Sequence, residues 1–479
     1  MNNIFSRKAL KSIIFTTGML FICSQGHAQL AWQNQINELV SQSLPTAEIG
    51  IMVMDADSGK TLYEYNAYKA FMPASTMKLF SAAAALDYLT GDYQFDTSAS
   101  INSSQLQSGI LYGSLYFKFT GDPSLTNSDL ATLVRQVKSY GIRQINGNVV
   151  LDDSRYQQPY FAPGWTADSL YWAFSAPISA IILNQNQVTL EFLPSRTLGR
   201  PVTIMPGPNM RYMGLQYNIN TVTYDQAMHA CSLVIRVNEN NVVQLGGCWP
   251  AGDKGWQSIS IQNPSLYASK VLQNYFAEAG IKVNGQFTIG VQPANLKIIA
   301  DHRSQKLSRL LVKMLKDSDN IYAESLLKTL GYYHNGVGSF QAGVNAMKAI
   351  DGNLADINFQ QTVIFDGSGQ SRYDLVMPKQ IAQLLYAIYH NDQLRQTIIN
   401  ALPISGIDGT LSYRMTSAEM RGKVRAKTGS VSGGSALSGY LITQSGHKLI
   451  FSIIMNNFVG KIRQARTLQD EICEALYQA

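Results

Sequence analysis

Apolar positions at the two ends of the chain gather into β-rich runs broken by short polar turns, a pattern that predicts strands. EIGIMVMDADSGKTLYEYN (48–66) holds two β-rich runs joined at Asp57-Ser58-Gly59, and GSALSGYLITQSGHKLIFSIIMNN (434–457) holds two more around Ser445-Gly446. Short polar junctions of this kind close hairpins. Ser75 to about Leu89 and the last 19 residues repeat their apolar positions with helical spacing. A sheet built from both termini and flanked by helices is therefore expected. From about Gly91 to Pro293 the pattern changes to short strand-like runs broken by Gly, Pro, Asn and Asp, as in FTGDPSLTNSDL, NGNVVLDDSRY and LPSRTLGRPVTIMPGPN. The fold class expected is α/β (α+β), with a discontinuous domain over 29–92 and 294–479. The β-rich insertion between them, 93–293, is read as two nested domains.

At 479 residues, with 46% apolar and 15% charged positions, the chain is neither disordered nor a small disulfide-stapled domain. Its net charge of +6 includes Arg7, Lys8 and Lys11. These precede an apolar run, Ile13 to Cys23, and Gly26-His27-Ala28 then offers small residues where a signal peptidase reads. Residues 1–28 are expected to be a cleaved signal peptide, with the mature chain starting at Gln29 and exported to the periplasm. The run is about half of the roughly 20 residues a membrane span needs, and bulky Ile22 argues against lipidation at Cys23. The remaining charge, about +3, is too weak and dispersed for a nucleic-acid protein. Peripheral association with membrane or wall is compatible with it.

Export permits disulfides, and Cys231, Cys248 and Cys473 remain. Cys231 opens CSLVIRV, Cys248 closes VVQLGGC, and NENN between them reads as a turn, so a hairpin would bring the two sulfurs together. Cys473, in the helical tail, is expected to be a buried free thiol. Three cysteines at these spacings make no zinc site and no H-E-x-x-H occurs, so neither metal nor cofactor is implied.

The histidines stand in no Ser/His/Asp context. Gly429-Ser430-Val431-Ser432-Gly433 matches G-x-S-x-G, but a strand-like run follows it where a hydrolase elbow needs a helix. A serine activated by lysine fits better. In FMPASTMKLFSAAAALDYL, Ser75 opens a helix and Lys78 shares its face three residues on. A lysine serves as base once burial or a second cation lowers its pKa. Ser318-Asp319-Asn320 heads a further amphipathic helix in KMLKDSDNIYAESLLK, and Lys427-Thr428-Gly429 ends a strand in VRAKTGSVSG.

S-x-x-K, S-x-N and K-T-G in this order resemble the serine penicillin-recognising enzymes. The 240 residues from Lys78 to Ser318 point to an interrupted catalytic domain, similar to the class C low-molecular-mass penicillin-binding proteins of the D-Ala-D-Ala carboxypeptidase/endopeptidase family. GDPSL (121–125), DDSRY (152–156), APGW (162–165), DGSGQSR (366–372) and LPISGIDGTL (402–411) look like further family landmarks. The resemblance implies a transpeptidase-like domain acting on peptidoglycan stem peptides and acylated by β-lactams. Ser75 would attack the carbonyl between two D-alanines and Lys78 would take its proton. Lys427 would keep Lys78 partly deprotonated by repulsion, Ser318 would relay a proton to the leaving amine, and Asn320 would bond the acyl part. Backbone N–H groups of Ser75 and Ser430 would form the oxyanion hole. Lys427, Thr428, Gly429 and Ser430 would hold the terminal carboxylate. For the stem-peptide side chain the resemblance points to Asp152 or Asp153, Tyr156 and Arg372. Ser432 stands where relatives often carry glutamine.

Two other readings compete. A serine β-lactamase needs a dedicated water-activating group, and nothing marks one between the first two motifs. A non-catalytic wall-binding or antibiotic-sensing protein would not require intact Ser75, Lys78, Ser318 and Lys427.

Overall fold

The computed structural model describes residues 31–42, 44 and 46–479; the leader expected at 1–28 lies outside them. Five strands form an antiparallel sheet in the order Val424–Val431, Gly434–Ile442, Lys448–Asn456, Glu48–Asp55, Thr61–Tyr65. The last strands of the chain thus pair with the first, in a sheet built from both termini as the β-rich runs implied. Both faces of the sheet are covered. Ile49, Ile51 and Val53 join Phe451 and Ile453 in the core beneath the C-terminal helix Ile462–Tyr477, while Met52, Met54, Ile450 and Ile454 face the helical core on the other side.

At the centre of that helical core runs Lys78–Leu89, buried from Lys78 through Leu86. Its four consecutive alanines let Asn320–Asn335, Phe340–Ala355 and Pro378–His390 pack closely around it. The nucleophile turn therefore sits on a support without freedom to shift.

The insertion has a core of its own. One sheet runs Phe287–Ile289, Val149–Asp152, Leu115–Phe119, Asp96–Ile101, Lys297–Arg303, and nested within the insertion are two three-stranded sheets centred on Gln187–Leu193 and Val242–Pro250. Cys231 and Cys248 are joined in this nested part, and Cys473 is free and buried, its thiol pushed up by burial. Two features differ from the sequence expectation. Lys297–Arg303 pairs with Asp96–Ile101, so the chain returns to the catalytic domain after Arg303, not at 293. The insertion also carries the helices Asn127–Ser139 and Pro264–Glu278. The first starts at a capping box between Thr126 and Asp129, inside a stretch read as strand breaks. Among the described residues no helix is long and apolar enough to cross a membrane.

Candidate active site

Ser75 lies in a 3-10 turn, Ala74–Met77, that runs directly into the central helix. Ala74 before it is held left-handed, with φ +46°, a conformation that costs a residue with a Cβ about 1–2 kcal/mol. Strain of this kind persists only where the surroundings enforce it. Here the neighbour is the strand Val424–Val431: a Cβ on Gly429 would stand 3.0 Å from Ala74 Cβ, Pro73 O and Ser75 N. The glycine of K-T-G is thus what lets the strand end abut the nucleophile.

Lys78 is completely buried, and its Nζ contacts Ser75 Oγ at 3.0 Å, Asn320 Oδ1 at 2.7 Å and the Ser368 carbonyl at 3.0 Å. Burial pushes its pKa down to about 8, against the opposing pull of Glu324, Asp366 and Asp319. Lys427 is buried as well and donates to Ser318 Oγ and its neighbour's carbonyl, Thr428 O, both at 2.8 Å. Burial first, then the charge of Lys78, holds Lys427 well below the ordinary lysine range. Burial is thus the main cause at Lys78, and the mutual repulsion of the two lysines acts beside it.

Ser318 is also left-handed, φ +61°, immediately before Asp319 caps the helix Asn320–Asn335 through the N–H groups of Ile321 and Tyr322. The kink turns the Ser318 hydroxyl toward Lys427. Asn320 splits its amide, accepting from Lys78 and donating to Phe174 O and Gln370 Oε1, each at 2.8 Å.

Two buried carboxyls missed in the sequence shape the loop beneath Lys78. Asp366 accepts from Gly369 N, Ser371 N and Trp165 Nε1 at 2.7–2.8 Å, and Glu324 accepts from Gly367 N and Ser368 N. Their bonds aim the Ser368 carbonyl at Lys78. Burial and the nearby Asp366 push Glu324 up to about 8. Asn320, Glu324 and Lys328 fall at i, i+4 and i+8, one helix face, and a polar stripe inside an apolar helix was the available signal. Lys328 donates to the carbonyls of Gln157, Pro159 and Ile178. It thereby pins both ends of the segment that carries Asp168, Trp172 and Phe174.

These elements enclose a cavity of about 650 Å³ lined by Ser75, Ser318, Asn320, Ser430, Arg372 and Asp168, among others. The structure brings the three motifs and Arg372 together but leaves three expected residues elsewhere. Tyr156 is buried, with its hydroxyl on Ser325 O and Thr329. Asp152 accepts from Ser154 N and Gln292 N, and Asp153 from Tyr160 and Ser265. All three brace the insertion. The acid at the cavity is Asp168, in a loop that no local pattern distinguishes.

The model of the D-Ala-D-Ala carboxypeptidase 3 (S13) family matches residues 32–478. The chain belongs to this family. It is 32% identical to the D-alanyl-D-alanine carboxypeptidase DacB of Haemophilus influenzae over 94% of each chain. It is also 32% identical to the D-alanyl-D-alanine carboxypeptidase of Actinomadura sp., over 91% of this chain and 82% of that one. The crystal structure of penicillin binding protein 4 (dacB) from Haemophilus influenzae superposes with a TM-score of 0.86 at 31% identity, covering 93% of this chain and 99% of that chain. A second structure of that protein, in complex with a novel β-lactam, gives a TM-score of 0.81. The S13 fold is thus a penicillin-binding, transpeptidase-like domain with insertions, and this S13 member is a serine-type D-Ala-D-Ala carboxypeptidase.

Proposed function

We propose that the protein cleaves the terminal D-Ala-D-Ala bond of peptidoglycan stem peptides, and also D-alanyl cross-links, through an ester on Ser75. The observation that carries this reading is the contact between Ser75 Oγ and the buried, depressed Lys78 Nζ. An amine with a pKa near 8 has a usable neutral fraction at neutral pH, far larger than an ordinary lysine's, and that form accepts the serine proton as Oγ attacks the carbonyl. Ser318, hydrogen-bonded by Lys427 at 2.8 Å, then gives its proton to the departing amine, and the proton that Lys78 took from Ser75 restores the Ser318 hydroxyl. Free D-alanine leaves, and water hydrolyses the ester, restoring Ser75. Backbone N–H groups of Ser75 and Ser430 stabilise the oxyanion in both steps. Thr428 and Ser430 bind the terminal carboxylate, and the pair of opposite charges, Asp168 and Arg372, suits the zwitterionic end of a diaminopimelate side chain. Penicillins acylate the same serine. A cleaved leader delivers the mature chain to the periplasm.

The test is intact-protein mass spectrometry after incubation with penicillin and, separately, with a stem pentapeptide. Addition of one penicillin, and release of D-alanine from the peptide, are expected. A chain that is neither labelled nor able to release D-alanine would overturn the reading.

A further inference from the structure

A terminal carboxylate lying against Thr428 and Ser430 calls for a cation, and neither active-site lysine is placed to supply it. Lys78 Nζ is enclosed by Ser75, Asn320 and the Ser368 carbonyl. Lys427 turns its Nζ to Ser318 Oγ and the Thr428 carbonyl, and burial drives both lysines toward the neutral amine. Arg372 is engaged just past the same strand end, where it donates to the Ser432 carbonyl. Thr428 Oγ1 already bonds Thr410 Oγ1 at 2.7 Å.

One guanidinium reaches the hydroxyl side. Arg466 Nη2 lies 3.1 Å from Ser430 Oγ. It projects from the C-terminal helix Ile462–Tyr477, whose Gln469 anchors it to the sheet through Ser435 Oγ at 3.1 Å. The turn that carries Arg466 is held from behind: Arg414 donates to the Arg466 carbonyl at 3.1 Å and pairs with Asp470 at 2.7 Å. Arg466 itself is exposed, and among the described residues no carboxylate stands within 4.0 Å of its guanidinium. Asp470, the nearest acid, is paired with Arg414, whose charge in turn repels Arg466; an arginine fixed at its base, open to solvent and without a carboxylate in contact is prepared for an anion that arrives with the substrate.

We propose that Arg466 is the carboxylate-recognising cation of this active site. It polarises Ser430, which accepts from Arg466 and donates its own proton to the carboxylate, and it adds a direct charge to the pair. The C-terminal helix thereby becomes part of the substrate site, and a free α-carboxylate on the leaving D-amino acid becomes a condition for efficient cleavage. The inference rests on the D-Ala-D-Ala reading above.

The test compares an N-acylated Lys-D-Ala-D-Ala peptide with the same peptide ending in D-alaninamide, following release of D-alanine or D-alaninamide by the mature chain and by Arg466→Gln and Arg466→Lys. The unaltered enzyme should prefer the acid. Arg466→Gln should lower the acid-to-amide ratio of kcat/KM by about 10- to 100-fold, the worth of one charge-assisted bond, and Arg466→Lys should restore part of it. A ratio within about twofold of the unaltered enzyme's in Arg466→Gln would overturn the proposal, and a parallel fall on both peptides would assign Arg466 to structure. Failure of the unaltered enzyme to release anything from either peptide would instead bring down the peptidase reading.

Discussion

Lys78 Nζ lies closer to Asn320 Oδ1, at 2.7 Å, than to Ser75 Oγ, at 3.0 Å, although the asparagine is 242 residues away in sequence. The second motif therefore shares the amine of the first. Burial holds the Lys78 pKa down at about 8, and Asn320 offers a neutral acceptor in place of a carboxylate, so this contact adds no full opposite charge to the ammonium.

Acylation by penicillin should accordingly rise with pH and level off above about 8, because the reactive form is the neutral amine. Asn320→Asp would place a negative charge on the ammonium, raise the Lys78 pKa and move the rising limb to higher pH. Glu324, itself pushed up to about 8 and so partly ionised over the same range, supports the ammonium, and with Glu324→Gln the limb should move to lower pH. Second-order acylation rates between pH 6 and 10 check both signs, and unmoved limbs would show that another group titrates.

Ser75→Ala should abolish covalent labelling while leaving the fold intact. The Ser75 side chain contributes one hydrogen bond, to Lys78, so the stability cost should stay at about 1 kcal/mol. Mass spectrometry after penicillin and a thermal melt check the two halves; persistent labelling would place the nucleophile elsewhere.

The contrast between what was readable in the sequence and what was not follows the range of the interactions. Ser75 and Lys78 are three residues apart on one helical turn, Ser318 to Asn320 are contiguous, and Lys427 to Gly429 form one strand end, so each chemical unit is local. The terminal strands were legible because both faces of the sheet are buried, so that β-rich apolar runs are bounded by polar turns. Asp168, Glu324 and Asp366 were not. Each acquires its role from backbone groups or cavity walls far away in sequence, and only Glu324 left a trace, as an acid on the inward face of an apolar helix. Asp152 and Asp153 were misleading for the same reason in reverse: a pair of acids beside a turn satisfies nearby N–H and hydroxyl groups, and that is how Asp152 is used.

Reduction of Cys231–Cys248, separated by 17 positions, should lower stability by about 2–3 kcal/mol through the freed entropy of the unfolded loop. The bridge ties Cys231, two residues past the short helix Tyr224–His229, to Val242–Pro250, both within the nested part of the insertion. Activity should fall much less than stability. Urea titration with and without reductant measures the first and D-alanine release the second; alkylation of Cys231 in the unreduced protein would contradict the bridge.

Endopeptidase action follows from what the carboxylate site recognises. A D-Ala-D-Ala end and a D-alanyl-diaminopimelate cross-link both present a carboxylate beside the scissile amide, so Thr428 and Ser430, in the role proposed for them, would hold either. Purified mature protein should therefore release D-alanine from pentapeptides and convert cross-linked muropeptide dimers to monomers. On the acyl side, Arg372 and Asp168 line one cavity with Ser75 and would meet the two charges of a diaminopimelate end. Arg372→Ala should weaken cleavage of diaminopimelate-bearing substrates by about 1–3 kcal/mol in kcat/KM, beyond its effect on simplified peptides that lack this side chain. Asp168→Asn should behave alike, because it removes the complementary charge. Arg372 also donates to the Ser432 carbonyl, so a loss of equal size on both substrate types would assign it to bracing the strand end. Failure to open dimers while pentapeptides are trimmed would confine the enzyme to carboxypeptidase work.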